Sequence, residues 1–197
     1  MHAAAGMIDV ATAATVAQHP DARIAIAGVS GAGKTTLAQT MSRMLGLPYT
    51  ELDSLHWGAN WTPRPEFIDD ARALIDGPTW ITELQYRAVR PLILERSTLL
   101  IWLDPPSFVS VSRVVRRTAQ KRRTREVLWN GNLQPSMVHA FLHRDGIVRW
   151  AISTRSKMRA AMPGIAESHP DLPIVRMRTR AEVEQLLALL PSPGHRL

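Results

Sequence analysis

Gly28-Val-Ser-Gly-Ala-Gly-Lys-Thr35 is the stretch of sequence that decides the fold. It has the spacing G-x-x-x-x-G-K-[ST], it follows a strand-like run over residues 23–27, and it opens a helical pattern over residues 34–45. In that context glycines allow successive backbone N–H groups to point inward, so that they hold a phosphate group at the N-terminus of the helix. The sequence therefore predicts a phosphate-binding loop between a strand and a helix.

Two side chains of this loop carry the predicted chemistry. Lys34 is expected to reach the bridge between the β- and γ-phosphates of a nucleotide. Thr35 is expected to complete the shell of a magnesium ion, because Mg²⁺ prefers oxygen ligands. The predicted cofactors are thus ATP and Mg²⁺. The residues predicted to bind the nucleotide are Gly28, Ser30, Gly31, Ala32, Gly33, Lys34, Thr35 and Thr36.

The composition is that of one ordinary folded domain. The chain has 197 residues, of which 45% are hydrophobic and 21% are charged, a balance that excludes collagen-like, coiled-coil and wholly disordered classes. The absence of cysteine excludes disulfide scaffolds, thiolate metal sites and cysteine nucleophiles. No apolar run is long enough to cross a bilayer, and the first twenty residues fit a secretory signal poorly. We expect a cytoplasmic protein without a membrane partner.

Strand-like and helix-like patterns alternate along the chain, which predicts a parallel sheet with helices on both faces. Ligands of such sheets bind at the carboxyl ends of the strands. Five strands are predicted at residues 23–27, 48–52, 80–83, 98–103 and 173–177, and helices at 34–45, 65–75, 89–96, 107–123, 135–162 and 180–190. Pro163-Gly164 is expected to break the long helix. We interpret residues 1–22 as an N-terminal extension, 23–190 as a single domain and 191–197 as a flexible tail.

Positive charge is concentrated in one segment. The chain carries 24 basic and 17 acidic residues, a net charge of +7. The segment from Arg113 to Arg125 contains no acid, and its basic residues are Arg113, Arg116, Arg117, Lys121, Arg122, Arg123 and Arg125. Guanidinium groups match phosphate oxygens in pairs, so the partner of this segment is predicted to be a polyanion. Charge alone leaves open whether the phosphate belongs to a nucleotide or to a nucleic acid.

Several stretches resemble the topology modulation proteins, small P-loop NTPases related to adenylate and shikimate kinases. They are Gly28 to Pro48, Leu52 to Trp57, Trp61, Trp80 to Tyr86 and Leu100 to Pro105, and the match spans most of residues 23–160. The resemblance implies a three-layer, nucleoside-monophosphate-kinase-like fold with strand order 2-3-1-4-5. It also implies an acceptor region at about residues 53–77 and an arginine-rich lid at about 113–150. Leu84 replaces a glycine of the family, and we expect it either to narrow the acceptor pocket or to alter its specificity.

Carboxylates follow three of the predicted strands. Asp53 either takes a proton from an acceptor hydroxyl, or holds magnesium waters, or caps a helix. Glu83 is expected to hold a magnesium water from the neighbouring strand. Asp104 has the position of a Walker-type acid, but Pro105-Pro106 indicates that it ends its strand and caps the basic helix. The predicted metal ligands are therefore Thr35, Asp53 and Glu83.

Arginines are the expected partners of the transferring phosphoryl group. Arg113 and Arg117 lie one helical turn apart and share a face, and the resemblance places lid arginines at the same spacing. We predict that they act in catalysis together with Lys34 and Asp53, while Arg149 and Arg155 are equally consistent with a return to the phosphates or with the surface. The resemblance also implies that Arg87 grips an acceptor phosphate, and a surface residue at the start of a helix is the alternative.

A cluster of ring-bearing residues follows Asp53. His56, Trp57, Trp61 and Arg64 form a predicted acceptor cradle, because indole faces stack on bases or sugars and arginine holds an anion. Core packing of the two tryptophans is the alternative. The spacing of His139 and His143 suits a metal, but without a third ligand nearby we expect none there.

These observations predict an ATP-dependent phosphotransferase that acts on a nucleotide, a nucleoside or another small acceptor. The alternative is a nucleic-acid-associated P-loop ATPase that uses residues 113–125 to follow a phosphate backbone. The sequence leaves the acceptor, the choice between ATP and GTP, and the oligomeric state open.

Overall fold

The structure is a computed structural model that describes residues 6–124 and 147–191. The described residues form five strands: β1 (Arg23–Gly28), β2 (Tyr49–Thr50), β3 (Trp80–Glu83), β4 (Leu99–Leu103) and β5 (Ile174–Met177). Their α-helices are α1 (Val10–Ala17), α2 (Lys34–Leu45), α3 (Leu52–His56), α4 (Phe67–Ile75), α5 (Arg90–Arg96), α6 (Ser107–Thr124), α7 (Ile147–Ser168) and α8 (Arg180–Ala188). A short 3-10 helix spans Ala59–Trp61.

The strands form one parallel sheet in the order β2-β3-β1-β4-β5, so the predicted order 2-3-1-4-5 is confirmed. The central strand β1 pairs in parallel with β3 on one side and with β4 on the other, and Ile24 lies opposite both Ile81 and Leu99. This pairing brings the ends of β1, β3 and β4 to one edge of the sheet. The phosphate-binding loop begins at that edge.

Two apolar layers cover the sheet. Successive side chains of a strand point to opposite faces, so Ile24 and Ile26 enter one layer while Ala25 and Ala27 enter the other. Helices α1, α2 and α8 contribute to the first layer, and α4, α5 and α7 contribute to the second. The result is the three-layer α/β arrangement that the alternating pattern predicted.

Residues 6–22 belong to the segment that we interpreted as an N-terminal extension, and they pack onto the sheet. Helix α1 is capped by Asp9, whose carboxylate accepts from the N–H of Thr12 at 2.7 Å. Ala13 and Ala17 of α1 are at most 1% exposed and lie in the first apolar layer. The N–H of Ile8 donates to the carbonyl of Ile174 at 2.9 Å, which joins this segment to β5.

Two local predictions were wrong. The second strand was predicted over residues 48–52, but only Tyr49–Thr50 pairs with β3, because the chain leaves the sheet edge and Leu52 enters the second apolar layer as the first residue of α3. Pro163-Gly164 was predicted to break a helix, but α7 continues through it to Ser168. Proline removes one backbone donor, and we attribute the continuation of the helix to the burial of its residues Met162 and Ile165 in the second layer.

No helix in the described part of the chain is both long enough and apolar enough to span a lipid bilayer.

Candidate active site

The glycine loop between β1 and α2 has the backbone geometry of an anion cradle. Gly31 and Gly33 have φ values of +77° and +104°, in the left-handed region where glycine carries no steric cost. Gly33 directly precedes Lys34, the first residue of α2, so the loop ends at a helix N-terminus with its free N–H groups. Of the other residues predicted to bind the nucleotide, Ala32 is buried, Ser30 and Thr35 are half-buried and Thr36 is exposed.

Helix α6 packs directly against this loop at Gly31. A Cβ atom at Gly31 would lie 2.2 Å from the carbonyl oxygen of Ser110 and 2.7 Å from a methyl group of Val114. Arg113 donates from its guanidinium group to the carbonyl oxygen of Ala32 at 3.2 Å, and Arg117 donates to the hydroxyl oxygen of Ser30 at 3.5 Å. The structure thus places both predicted lid arginines against the phosphate-binding loop.

We expect Gly31→Ala to destabilise the fold by about 1–3 kcal/mol and to weaken nucleotide binding. The added methyl group meets the backbone of α6, and the left-handed conformation of Gly31 disfavours alanine. Chemical denaturation and calorimetric titration with Mg·ATP measure the two effects. Gly164→Ala is the matched control: a Cβ atom there meets nothing within 4 Å, so it should stabilise α7 by about 0.5–1 kcal/mol. Equal stability changes in the two variants would contradict the packing of α6 on the loop.

Glu83, at the end of β3, joins the two reactive side chains of the loop. One carboxylate oxygen lies 3.4 Å from the ammonium nitrogen of Lys34, and the other accepts from the Thr35 hydroxyl at 2.7 Å. The Lys34 and Glu83 side chains are only 10% and 1% exposed. A buried charge is costly unless it is paired. Removing either Lys34 or Glu83 would therefore leave the other as an unpaired buried charge.

Glu83 has two further partners, and its site suits a hard cation. The Tyr49 hydroxyl donates to it at 3.0 Å, and the side-chain amide of Gln85 donates to its other oxygen. Burial and the Glu83 charge raise the pKa of Tyr49, so this phenol remains a donor at neutral pH. The adjoining Thr35 hydroxyl and Glu83 carboxylate offer the oxygen donors that Mg²⁺ prefers, so these residues fit the predicted ion.

Asp53 is a second carboxylate beside this pair, and it is half-buried. It lies in the first turn of α3, after the helix cap Glu51, and it accepts a hydrogen bond from the Tyr86 hydroxyl. Burial raises the pKa of Asp53, and the nearby Glu83 charge adds to this effect, whereas the Tyr86 hydrogen bond and the charges of Lys34 and His56 oppose it. The charges of Glu83 and Lys34 thus both act on Asp53, and its role as a base or as a metal ligand stays a prediction.

Aromatic side chains pack beside Asp53. The rings of His56 and Tyr86 lie 4.3 Å apart, and Phe67 contacts both rings at 4.7 and 4.9 Å. Trp57 packs edge-on against His56 at 4.5 Å and against Trp61 at 5.8 Å. Both tryptophans are only half-buried, in contrast to Trp80, which is fully buried in the sheet. A fully packed core position for Trp57 and Trp61 is therefore wrong, and their use in a cradle stays a prediction.

The two arginines assigned to the acceptor side differ in their surroundings. Arg64 makes an ion pair with Asp70 at 3.0 Å, approaches Glu66 at 3.8 Å, and donates to the carbonyl oxygen of Leu55 at 3.3 Å. It thereby connects α3 to α4. Arg87 is exposed at the start of the segment that leads to α5.

Asp104, which follows β4, forms ion pairs with two arginines. Its carboxylate, 2% exposed, forms ion pairs with Arg159 of α7 and with Arg176 of β5. The Arg176 guanidinium also lies 4.3 Å above the ring of Trp102. Glu83 contacts both Lys34 and Thr35 of the loop, and the predicted capping role of Asp104 stays a prediction.

Sequence reasoning missed the tyrosines. Tyr86 has an unusual backbone, with φ at +45°, and this conformation accompanies the hydrogen bond of its hydroxyl to Asp53. Tyr49 was predicted only as part of a strand, and its contact with Glu83 depends on the pairing of β2 with β3. Leu84 is 2% exposed within the second apolar layer, and its effect on the acceptor pocket stays a prediction.

Some predicted positions lie outside what the structure describes. They are Arg125, His139 and His143 and the side chains of Lys121, Arg122, Arg123, Arg149 and Arg155. Of the predicted lid over residues 113–150, the helical start at 113–124 and the residues from 147 onwards are described.

The sheet order, the glycine loop and the acid on β3 together define a P-loop fold of the three-layer α/β class. No protein-family model and no curated protein sequence matches the chain. Among solved structures, a gluconokinase from Sinorhizobium meliloti 1021 is 17% identical with a TM-score of 0.50, over 86% of this chain and 91% of that one. This likeness supports the fold.

Two further kinases are similar at lower scores. A shikimate kinase from Acinetobacter baumannii, in complex with shikimate, is 14% identical with a TM-score of 0.49, over 84% of this chain and 88% of that one. A deoxyadenosine kinase from M. mycoides, with bound dATP, is 12% identical with a TM-score of 0.46, over 84% and 95%. The predicted three-layer P-loop fold is confirmed by the sheet order and by the likeness to the gluconokinase, and the narrower resemblance to topology modulation proteins stays a prediction.

Proposed function

We propose that the protein is a small-molecule kinase that transfers the γ-phosphoryl group of Mg·ATP to an acceptor bound beside Asp53. The observation that carries this proposal is the contact of Glu83 with both Lys34 and Thr35. It joins the glycine loop, a buried ammonium group and a carboxylate at one edge of the sheet. The likeness of the fold to a gluconokinase supports the same reaction class.

The glycine loop and α6 are the elements that bind the nucleotide in this proposal. The N–H groups of the loop bind phosphate oxygens, and Lys34 neutralises charge on the transferring group. Arg113 and Arg117 already contact the loop, where their guanidinium groups stabilise the charge of the phosphates. When bound, Mg²⁺ draws charge from the phosphate oxygens, with Thr35 and Glu83 as the residues that hold it directly or through water.

The acceptor end rests on Asp53. An acceptor hydroxyl oxygen forms a bond to the γ-phosphorus while the bond from that phosphorus to the bridging oxygen breaks, and ADP leaves. The hydroxyl proton passes to the carboxylate of Asp53. The hydrogen bond from the Tyr86 hydroxyl holds this carboxylate in place. Transfer to a phosphate acceptor would need no such base.

We expect Asp53→Asn to lower the transfer rate by about 10²–10⁴-fold, because it removes the base, and at the same time to stabilise the protein at pH 7. Burial raises the pKa of Asp53, so the folded protein holds this proton to a higher pH than the unfolded chain does. Asp53 therefore costs stability as the pH rises above the ordinary aspartate pKa, up to its folded pKa. Asparagine has no charge to bury and still accepts from Tyr86.

Melting curves of both proteins between pH 3 and pH 8 test the second part. The stability advantage of the variant should grow as the pH rises from the ordinary aspartate pKa to the folded pKa of Asp53 and should stay constant above it. Asp171→Asn, at an exposed aspartate, is the control and should change neither rate nor stability. A variant that loses stability at pH 7 would contradict the assigned surroundings of Asp53.

A further inference from the structure

The space beside Asp53 is bordered by negative charge. Asp53 accepts a hydrogen bond from Tyr86, Glu83 accepts one from Tyr49, and Glu51 caps the helix that carries Asp53. Lys34, the ammonium group at this position, already pairs with Glu83 and is assigned to the nucleotide. A phosphorylated acceptor would bring further negative charge to carboxylates that are partly removed from water, where like charges repel most strongly.

Arg64, one of the arginines assigned to the acceptor side, is already neutralised. Arg64 pairs with Asp70 and approaches Glu66, and its remaining hydrogen bond goes to Leu55. Its Cγ atom lies 3.3 Å from where a Cβ of Gly58 would be, so its stem lies against the loop after α3. To bind an acceptor phosphate, Arg64 would have to leave two carboxylates and a carbonyl group.

A polar atom without a hydrogen-bond partner among the described residues lies at the same place. The Nδ1 atom of His56 is buried and has no hydrogen-bond partner in the described part of the protein, and its ring packs on that of Tyr86. Buried polar atoms are normally satisfied. A hydroxyl group of an acceptor supplies the missing partner and adds no charge.

We propose that the acceptor of this kinase is a hydroxyl compound that carries no phosphate group, and that the carboxylates around Asp53 and the capture of Arg64 by Asp70 exclude phosphorylated acceptors. The inference rests on the proposed function, since it specifies the acceptor of that same site. It favours nucleosides, sugars and other polyols over nucleoside monophosphates and sugar phosphates.

The test is calorimetric titration of matched probes into the full-length protein saturated with magnesium and a non-hydrolysable ATP analogue. The probes are adenosine with AMP, thymidine with thymidine monophosphate, and ribose with ribose 5-phosphate. Because like-charge contacts cost several-fold to hundreds-fold in affinity, no phosphorylated probe should bind more tightly than its partner, and ADP formation with authentic ATP should be confined to unphosphorylated members. Tighter binding of any phosphorylated member overturns the inference.

A pair of variants tests the role of Arg64. Asp70→Asn frees its guanidinium from the shorter ion pair, so AMP should bind up to about 5-fold more tightly than it does to the natural protein. Asp69→Asn, at an exposed neighbour on the same helix, should leave AMP binding unchanged. Equal AMP affinities in all three proteins would contradict the capture of Arg64. Failure of the ATP analogue itself to bind would overturn the proposed function and this inference together, whereas bound analogue with tight AMP binding overturns the inference alone.

Discussion

Replacing Lys34 by methionine is expected to lower the rate of phosphoryl transfer by about 10²–10³-fold, the usual loss when one preorganised donor to a developing charge is removed. Methionine fills a similar volume but brings no charge to the β- and γ-phosphates. The affinity for Mg·ATP should also fall, by about 10- to 100-fold, since a hydrogen bond to a charged group contributes about 1.5–3 kcal/mol. Rates of ADP formation and calorimetric titrations measure the two losses.

Lys157 provides the matched control for this substitution. It is an exposed lysine of α7, and Lys157→Met should leave both rate and affinity within twofold of the natural protein. Phosphoryl transfer at the natural rate in Lys34→Met would contradict the role assigned to the loop. A folded state is verified in both variants by their cooperative thermal unfolding.

Glu83→Ala is expected to lower the free energy of unfolding by about 3–5 kcal/mol, the cost of leaving one member of a buried ion pair without its partner. Lys34 would remain buried with its charge unpaired, and the hydroxyl groups of Thr35 and Tyr49 would lose their acceptor. Urea denaturation measures the loss. Glu95→Ala removes an exposed glutamate of α5 and should change stability by less than about 0.5 kcal/mol.

A double-mutant cycle separates the ion pair from the other contacts of Glu83. In a background that already carries Lys34→Met, the further change Glu83→Ala should cost much less unfolding free energy than it costs in the natural protein, because no buried ammonium group is then left unpaired. If the losses of unfolding free energy in the two single variants add up to the loss in the double variant, the ion pair between Lys34 and Glu83 contributes nothing to stability.

The sequence predicted those features that depend on local pattern. The glycine spacing and the flanking apolar periods placed β1, the loop and α2, and the run from Trp80 to Glu83 placed β3 with its acid at the sheet edge. Because parallel strands deliver their ends to one edge, the meeting of Glu83 with the loop followed from these elements. Asp53 was placed near the same edge for the same reason.

The features that the sequence did not predict depend on contacts between distant segments. Tyr86 reaches Asp53, 33 residues earlier, from a left-handed backbone conformation that no local pattern indicates. The pairing of Arg64 with Asp70 requires the turn that brings α3 onto α4. At Pro163 the local sequence favours a break, but α7 continues because its residues pack in the second apolar layer. The stabilisation from this packing depends on residues of the whole layer, which no local pattern indicates.

The central claim is that the glycine loop binds the phosphates of a magnesium nucleotide. Isothermal titration of Mg·ATP into the folded full-length protein tests it most directly, with Lys34→Met as the comparison. One site per chain should bind with measurable heat, and the affinity should fall by about 10- to 100-fold in the variant. No heat from the folded natural protein, or equal affinities in the two proteins, would contradict the claim.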